Sequence, residues 1–330
     1  VVETDLGERI IQLLGQKPSH IVMPAIHLKR EEVGKMFEEK GISKEIGNYD
    51  PTYLTRCARH HLRDQFMEAG AGMTGCNFGV AATGDCVVCT NEGNADMTTS
   101  MPKLHIVAMG IEKLVPDYKS LAVFQRLLCR CGTGQPTTAF TSHFRQARPG
   151  AEMHVVLVDN GRSDILADKE HWQTLKCMRC GACMNTCPVY RRSGGYSYTY
   201  FIPGPVGVNL GMLKNPQKYS DNVSACTLCL SCDNVCPSKV GPGSQIYVWR
   251  QSLEKLGKAD PVKRAMSNGM KYLFDRPALY TTALKFAPLV NLVPECCTHF
   301  SNWNAWGIGH AMPEFAKMSF HQLWKEGKVK

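Results

Sequence analysis

No apolar run in this 330-residue sequence is long enough to cross a bilayer. The longest, LYTTALKFAPLVNLV, carries Lys285 and Pro288 and falls short of the roughly 20 apolar residues a spanning helix needs. The N-terminus, VVETDLGERI, lacks the basic segment and apolar core of a secretory signal peptide, and no initiator Met precedes it, so a processed or truncated chain is expected. Compositional bias is also missing: 44% hydrophobic and 20% charged residues exclude a disordered or fibrous protein and leave room for two compact domains. One G-x-G-x-x-G motif occurs, at Gly70–Gly75, but it follows a helical pattern and leads toward a strand. A dinucleotide fingerprint needs the order strand, turn, helix, so nicotinamide or flavin binding is not expected there.

What the sequence has in abundance is cysteine, 16 residues, of which eight lie in two tight runs. CMRCGACMNTCPVY begins at Cys177 and CTLCLSCDNVCPSK at Cys226; Cys177, Cys180, Cys183 and Cys187 recur 49 residues on, at Cys226, Cys229, Cys232 and Cys236. Both runs read C-x2-C-x2-C-x3-C-P. Two-residue spacers wrap three thiolates around a cubane, while the fourth cysteine stands too far round to close the same cube. In two-cluster ferredoxins that fourth thiolate ligates the other cluster, and here Pro188 and Pro237 turn the chain away at that point. Carried over by position, Cys177, Cys180, Cys183 and Cys236 hold one [4Fe–4S] cluster, and Cys226, Cys229, Cys232 and Cys187 hold the second.

Zinc is the structural alternative, but a ribbon uses two C-x2-C pairs per ion and leaves the third evenly spaced cysteine and the Cys-Pro unexplained. A disulfide framework belongs to short secreted chains. Two bound clusters would lower the formal charge of +9 to about +5, which fits plain solubility as well as an acidic partner or membrane surface. Paired clusters imply one-electron transfer rather than chemistry on a substrate. The 38 residues between Cys187 and Cys226 exceed the spacing of small bacterial ferredoxins and suit the helical dicluster type found in succinate dehydrogenase and heterodisulfide reductase subunits.

Along the chain, LGERIIQLLG predicts a short amphipathic helix, HIVMPA a strand, and KREEVGKMFEEKG a charged helix ended by Gly41. YLTRCARHHLRDQFMEAG puts Leu54, Ala58, Leu62 and Phe66 on one helical stripe. Strands are expected at CVVCT, KLHIVAMG, TTAFTS and MHVVLVD, with a helix at KSLAVFQRLLCR, so residues 1–165 read as an α/β domain with a parallel or mixed sheet. From 166 to 245 the strand signal fades: YTYFIPGPVGVNLG reads as a Pro/Gly loop, and a small, mostly helical domain carries the cysteines. Residues 246–330 read as a helical extension with an irregular aromatic end.

TGCNFGVAATGDCVVCTNEGNADMTTSMPKLHIVAMGIEKLVP, the GTGQPTT segment and the two cysteine runs together resemble the LutB/LldF-type iron–sulfur proteins of bacterial L-lactate utilisation. The likeness runs from KPSHIVMPAIH to SFHQLW, and family members carry a longer N-terminal part. It implies a LUD domain, a sugar-isomerase/CoA-transferase-like α/β sheet with flanking helices, followed by a mostly α-helical dicluster ferredoxin domain. It further implies a cytoplasmic electron-transfer subunit, reaching the membrane at most through its partners. Those partners are a CCG-domain iron–sulfur subunit and a second LUD-domain subunit, with which it oxidises L-lactate to pyruvate. The CCG pattern is not completed here, because no cysteine follows Cys296 and Cys297 in ECCTHF, so that subunit is expected as a separate chain. No residue shows the flavin or nicotinamide pattern of a self-contained dehydrogenase, and no catalytic base is assigned. Two other readings stay open: an adaptor for another dehydrogenase, such as one acting on glycolate, and a LUD ligand-binding protein whose clusters sense redox state.

Asn77, Thr83, Gly84, Asp85, Asn91, Glu92 and Asn94 offer hydroxyls, amides and backbone donors that could cradle a carboxylate or phosphate. The same residues equally serve as turn formers between strands. Cys86 and Cys89, an odd number apart on a strand, point to opposite faces. Cys57 and Cys76 are isolated and Cys129 and Cys131 sit at a helix end, so buried thiols are expected in preference to a third metal site. His60 and His61, with Arg59 and Arg63, read as a solvated basic face, and His105 as a satisfied core histidine.

Overall fold

Asp5 caps the first helix, α1 (Leu6–Leu14), by accepting from the Gly7 amide at 3.0 Å, and Gly15 ends it at φ 65°. After α2 (Arg30–Glu39), α3 (Pro51–Glu68) starts on Pro51, with the Asp50 carboxylate accepting from Tyr53 N at 2.9 Å. Leu54, Ala58, Leu62 and Phe66 are its buried stripe; Leu54 and Ala58 pack with Ile10, Met36 and Phe37. Arg59, His60 and Arg63 face solvent. HIVMPA is not a strand but a set of turns. His20 Nδ1 accepts from the amides of Val22 and Met23 at 3.0 and 3.1 Å, so these donors are satisfied locally and offer nothing to a ladder. The computed structural model describes residues 1–258, 260–293 and 314–329, which belong to two compact units, Val1–Lys258 and Ala259–Lys330.

The described strands form two sheets rather than one. β1 (Ala71–Thr74), β4 (Leu104–Gly110) and β7 (Glu152–Val158) are parallel, in the order β1-β4-β7. β2 (Phe78–Val80) pairs with β3 (Asp85–Thr90) antiparallel and with β5 (Leu114–Val115) parallel, and β6 (Phe140–Phe144) closes the far edge against β3. α4 (Asn94–Ser100) connects β3 to β4, and α5 (Tyr118–Gly132) connects β5 to β6. β1 itself occupies the G-x-G-x-x-G motif, and a Cβ on Gly72 would lie 1.9 Å from the Thr98 carbonyl oxygen. That glycine serves close helix–strand packing. His105 is buried and shares a 2.9 Å hydrogen bond with Thr74 Oγ1.

Beyond β7 the described residues contain no strand. α6 (Arg162–Ala167) and the turn Trp172–Lys176 lead into α7 (Ala182–Thr186), α8 (Pro188–Ser193), α9 (Gly204–Lys214), α10 (Pro216–Tyr219), α11 (Asp221–Ser224), α12 (Ser231–Val235) and α13 (Pro242–Lys255). α9 corrects the loop reading of YTYFIPGPVGVNLG. It is buried on nearly every side, so its apolar residues trace no stripe, and its glycines mark tight packing rather than a turn. The second unit contains α14 (Pro261–Phe274), α15 (Pro277–Phe286) and α16 (Phe320–Lys325). Cys296 and Cys297 lie outside the described residues. No described helix is long and apolar enough to cross a membrane.

Candidate iron–sulfur centre and its surroundings

The 49-residue repeat extends to the backbone. Arg179 and Leu228, in the first spacer of each run, take left-handed φ values of 66° and 53°, and Gly181 and Leu230 do the same in the second spacer at 77° and 57°. Each run then forms one short helix, α7 or α12, and returns to extended geometry at the fourth cysteine, with φ −72° at Cys187 and −68° at Cys236. A non-glycine residue in the left-handed region costs roughly 1 kcal/mol, and such residues persist where surrounding structure dictates them. The same reversal in both runs curls three cysteines toward one side.

Cys177, Cys180, Cys183 and Cys236 line a single small cavity, enclosed by Ile21, Met178, Val206 and Pro237. Amides point at these sulfurs: Ala182 N–H at Cys180, Val206 N–H at Cys183, and Val240 N–H at Cys236 Sγ, 3.3 Å away. Burial pushes the Cys180 thiol up to about 11 and that of Cys183 higher still, so these thiols stay neutral until a metal displaces their protons. The other four are related only as neighbours in charge. Cys187 is an electrostatic neighbour of Cys226 and Cys232, and Cys229 a neighbour of Cys226. Leu228 N–H points at Cys226 Sγ at 3.4 Å, and burial raises Cys232 to about 12.

Among the described residues no three His, Cys, Asp or Glu side chains form a site for a single metal ion. Four soft sulfurs ringing a cavity, with amide donors aimed at them, match what a cubane needs.

Several positioning residues are not legible as such in the sequence. The Asp233 carboxylate accepts from Gly243 N at 2.5 Å, Ser244 N at 3.0 Å and Ser244 Oγ at 2.6 Å. It thereby pins the start of α13 to α12, beside Cys232, whose thiol lies 3.5 Å from Oδ1. His20 Nε2 meets Asn185 Oδ1 at 3.2 Å, and the Tyr190 hydroxyl donates to the Ser19 carbonyl at 2.7 Å, tying the N-terminal turns to the first cysteine run. Because Nδ1 of His20 already accepts two amides, Nε2 carries the proton. Contacts of this length in sequence, 165 residues for His20–Asn185, leave no local signal.

The expected ligand residues separate into two places. Asn77, Asn91 and Glu92 line a cavity of about 670 Å³ that also exposes Asp5, Glu8 and Cys180. Burial, reinforced by Asp5, pushes Glu8 up to about 8 and Glu92 up to about 7. Each of the three also has a structural bond: Asn77 Oδ1 accepts from Cys89 N at 2.9 Å, Asn91 Oδ1 from Ala139 N at 3.1 Å, and the Glu92 carboxylate from Leu6 N at 3.2 Å. Asn94 Oδ1 accepts from Ala95 N at 2.9 Å, at the start of α4.

Thr83, Gly84 and Asp85 close the β2–β3 hairpin instead, with Gly84 at φ 77°. Asp85 is buried there and accepts from Arg145 Nη2 at 2.9 Å and from the Thr83 and Tyr118 hydroxyls, bonds that hold its carboxyl well below the usual range. Asp85→Asn is expected to destabilise the protein by about 2 kcal/mol at pH 7, read by urea unfolding. A carboxyl whose folded pKa is depressed stabilises above its unfolded value, about 3.9, and loses that contribution as pH falls through the folded value. The gap between variant and wild type therefore stays constant above about pH 5 and narrows below about pH 4.

The remaining thiols also find places. Cys86 packs with Val107 and Met109 while Cys89 packs against the cluster around Val87 and Leu121, so the two do face different cores. Cys76 is not isolated: its thiol donates to the Phe78 carbonyl oxygen at 2.6 Å and packs with Cys86, and Cys86 together with burial pushes it above the ordinary thiol value.

Comparison with known proteins agrees with this architecture. The LUD domain family profile matches residues 1–164, and the 4Fe-4S dicluster domain profile matches residues 173–240. The chain is 38% identical to "Lactate utilization protein B" of Bacillus cytotoxicus, over 99% of this chain and 71% of that one. It is 40% identical to the protein of that name from Bacillus pumilus, over 88% of this chain and 62% of the relative. Against the "Uncharacterized electron transport protein YkgF" of Escherichia coli (strain K12) identity is 38%, over 86% and 61% respectively. The chain thus spans 61% to 71% of the length of these relatives. No solved structure matches it. With a LUD domain joined to a 4Fe-4S dicluster domain, the chain belongs to the lactate utilization protein B family of iron–sulfur proteins.

Proposed function

We propose that this chain is the electron-transfer subunit of a multi-subunit L-lactate-oxidising complex and holds two [4Fe–4S] clusters. The observation that supports the reading most is the small cavity shared by Cys177, Cys180, Cys183 and Cys236, with Cys187 lying near Cys226 and Cys232. The names of the relatives, "lactate utilization" and "electron transport", set the metabolic context. Bound clusters supply one-electron transfer; the chain's residues hold them, exclude water and tune their potential through amide–sulfur hydrogen bonds. Cys177, Cys180, Cys183 and Cys236 would hold the enclosed cluster, and Cys226, Cys229, Cys232 and Cys187 the other. Cys229 is exposed, and Leu230 and Val235 beside it are 43% and 40% exposed, so this second set reaches the surface where a partner docks. The partners we expect are a CCG-domain iron–sulfur subunit and a second LUD-domain subunit, in the cytoplasm.

Oxidation of L-lactate to pyruvate releases two electrons and two protons, one electron for each cluster. The test is iron and sulfide quantification with EPR on the anaerobically purified native complex, before and after L-lactate. Signals of reduced clusters are expected on addition. Reduction by glycolate alone would assign the chain to another dehydrogenase, and unchanged spectra with both acids would overturn the reading.

A further inference from the structure

A cavity of about 770 Å³ opens between β5 and α5 on one side and the segments around Trp172 and Ser238 on the other. Its walls are mainly apolar, with Phe78, Phe124, Leu127 and Leu166 among them and the Trp172 indole at one side. One end reaches the first cysteine set: Cys177 lines the cavity, and so does Ser238, two residues after Cys236. The charged residues of its walls are mainly cationic, Lys113, Lys176, Lys239 and Arg162; Lys176 Nζ lies over the Trp172 ring, 4.5 Å from its centroid, and the single carboxylate, Glu112, is paired with Arg162. Lys113 is enclosed beside Cys177. The Ser238 hydroxyl is buried with no hydrogen-bond partner, and Ser238 lines both this cavity and the small cysteine cavity.

A 2-hydroxy acid loses its O–H proton and a hydride when it becomes a 2-keto acid, whereas each [4Fe–4S] centre takes one electron. A ring that accepts the hydride and releases its two electrons singly, giving the remaining proton to solvent, balances the exchange. We propose that the cavity beside Cys177 binds a planar aromatic redox ring carrying an anionic group, of the flavin mononucleotide class. The apolar walls would cover the ring, and Lys113 would meet the anionic end. This rests on the reading that the first cysteine set holds a cluster.

The test uses the full chain, loaded with iron and sulfide and assayed for both. Flavin mononucleotide is titrated by equilibrium dialysis and by quenching of its fluorescence, with uncharged menadione in parallel. Saturable one-to-one binding of flavin mononucleotide is expected, weakened about tenfold in Lys113→Met. It should be lost in Leu127→Trp, which fills the cavity, with iron content and melting temperature kept. No flavin mononucleotide binding by iron-loaded protein overturns the proposal, as does binding that neither variant changes. Menadione bound in place of flavin mononucleotide also overturns it and makes the cavity an uncharged quinone site. Protein that retains no iron refutes the cluster reading instead, while dialysis still scores the cavity.

Discussion

Cys187→Ser is expected to empty the cysteine set of the second run and to leave the first set loaded. Cys187 belongs to the first run by sequence, but its electrostatic neighbours are Cys226 and Cys232, whereas Cys236 shares the cavity of Cys177, Cys180 and Cys183. Iron should fall from about eight to about four per chain, with one of two EPR signals lost. Cys236→Ser should remove the other half and the other signal. If Cys187→Ser instead damaged the cluster of Cys177, Cys180 and Cys183, the crossed assignment would be wrong. The two variants together distinguish crossing from two self-contained runs, because each model names a different surviving signal.

Gly207→Ala carries the largest expected effect on folding. A Cβ there would lie 1.7 Å from the backbone oxygen of Ile202, and no side-chain rotation relieves a clash with main chain. The helix α9 that holds Gly207 is buried nearly throughout, and its Val206 supplies both the amide to Cys183 and a wall of the cysteine cavity. A loss of about 3 kcal/mol or more is expected, a fall in melting temperature of roughly 2–4 °C per kcal/mol, together with loss of iron from the enclosed set. Gly70→Ala is the comparison, since nothing lies within 4 Å of its Cβ position and its φ is not left-handed. It should be neutral or stabilise by about 0.4–1 kcal/mol. Equal melting temperatures for the two variants would show that α9 does not pack against Ile202 as described.

The elements that were legible share one property, a pattern carried by neighbouring residues. The α3 stripe of Leu54, Ala58, Leu62 and Phe66 announces itself because solvent on the other face puts polar residues into the gaps, whereas Leu104–Gly110 is legible as a short apolar run with β-branched residues. α9 has no wet face, so its period vanished and its glycines read as a loop. HIVMPA looked like a strand because it is apolar, yet the His20 ring takes the very amides a strand would have offered. Which strands join which sheet was not legible either. β2 pairs with both β3 and β5 while β1 and β4 pair elsewhere, a choice made by long-range contacts.

The ligand residues show the same limit at the scale of a site. Asp85 and Asn91 stand six positions apart in sequence, but β3 is extended and carries them to opposite ends, roughly 20 Å apart. One end became a closed hairpin turn and the other the wall of a cavity. By itself the sequence determined the chemistry of the cysteine runs, because spacing along a short loop dictates how thiolates can converge. Only the tertiary structure decided that an apolar, cation-rimmed cavity lies against Cys177, since its walls come from segments more than 150 residues apart, brought together by packing rather than by pattern.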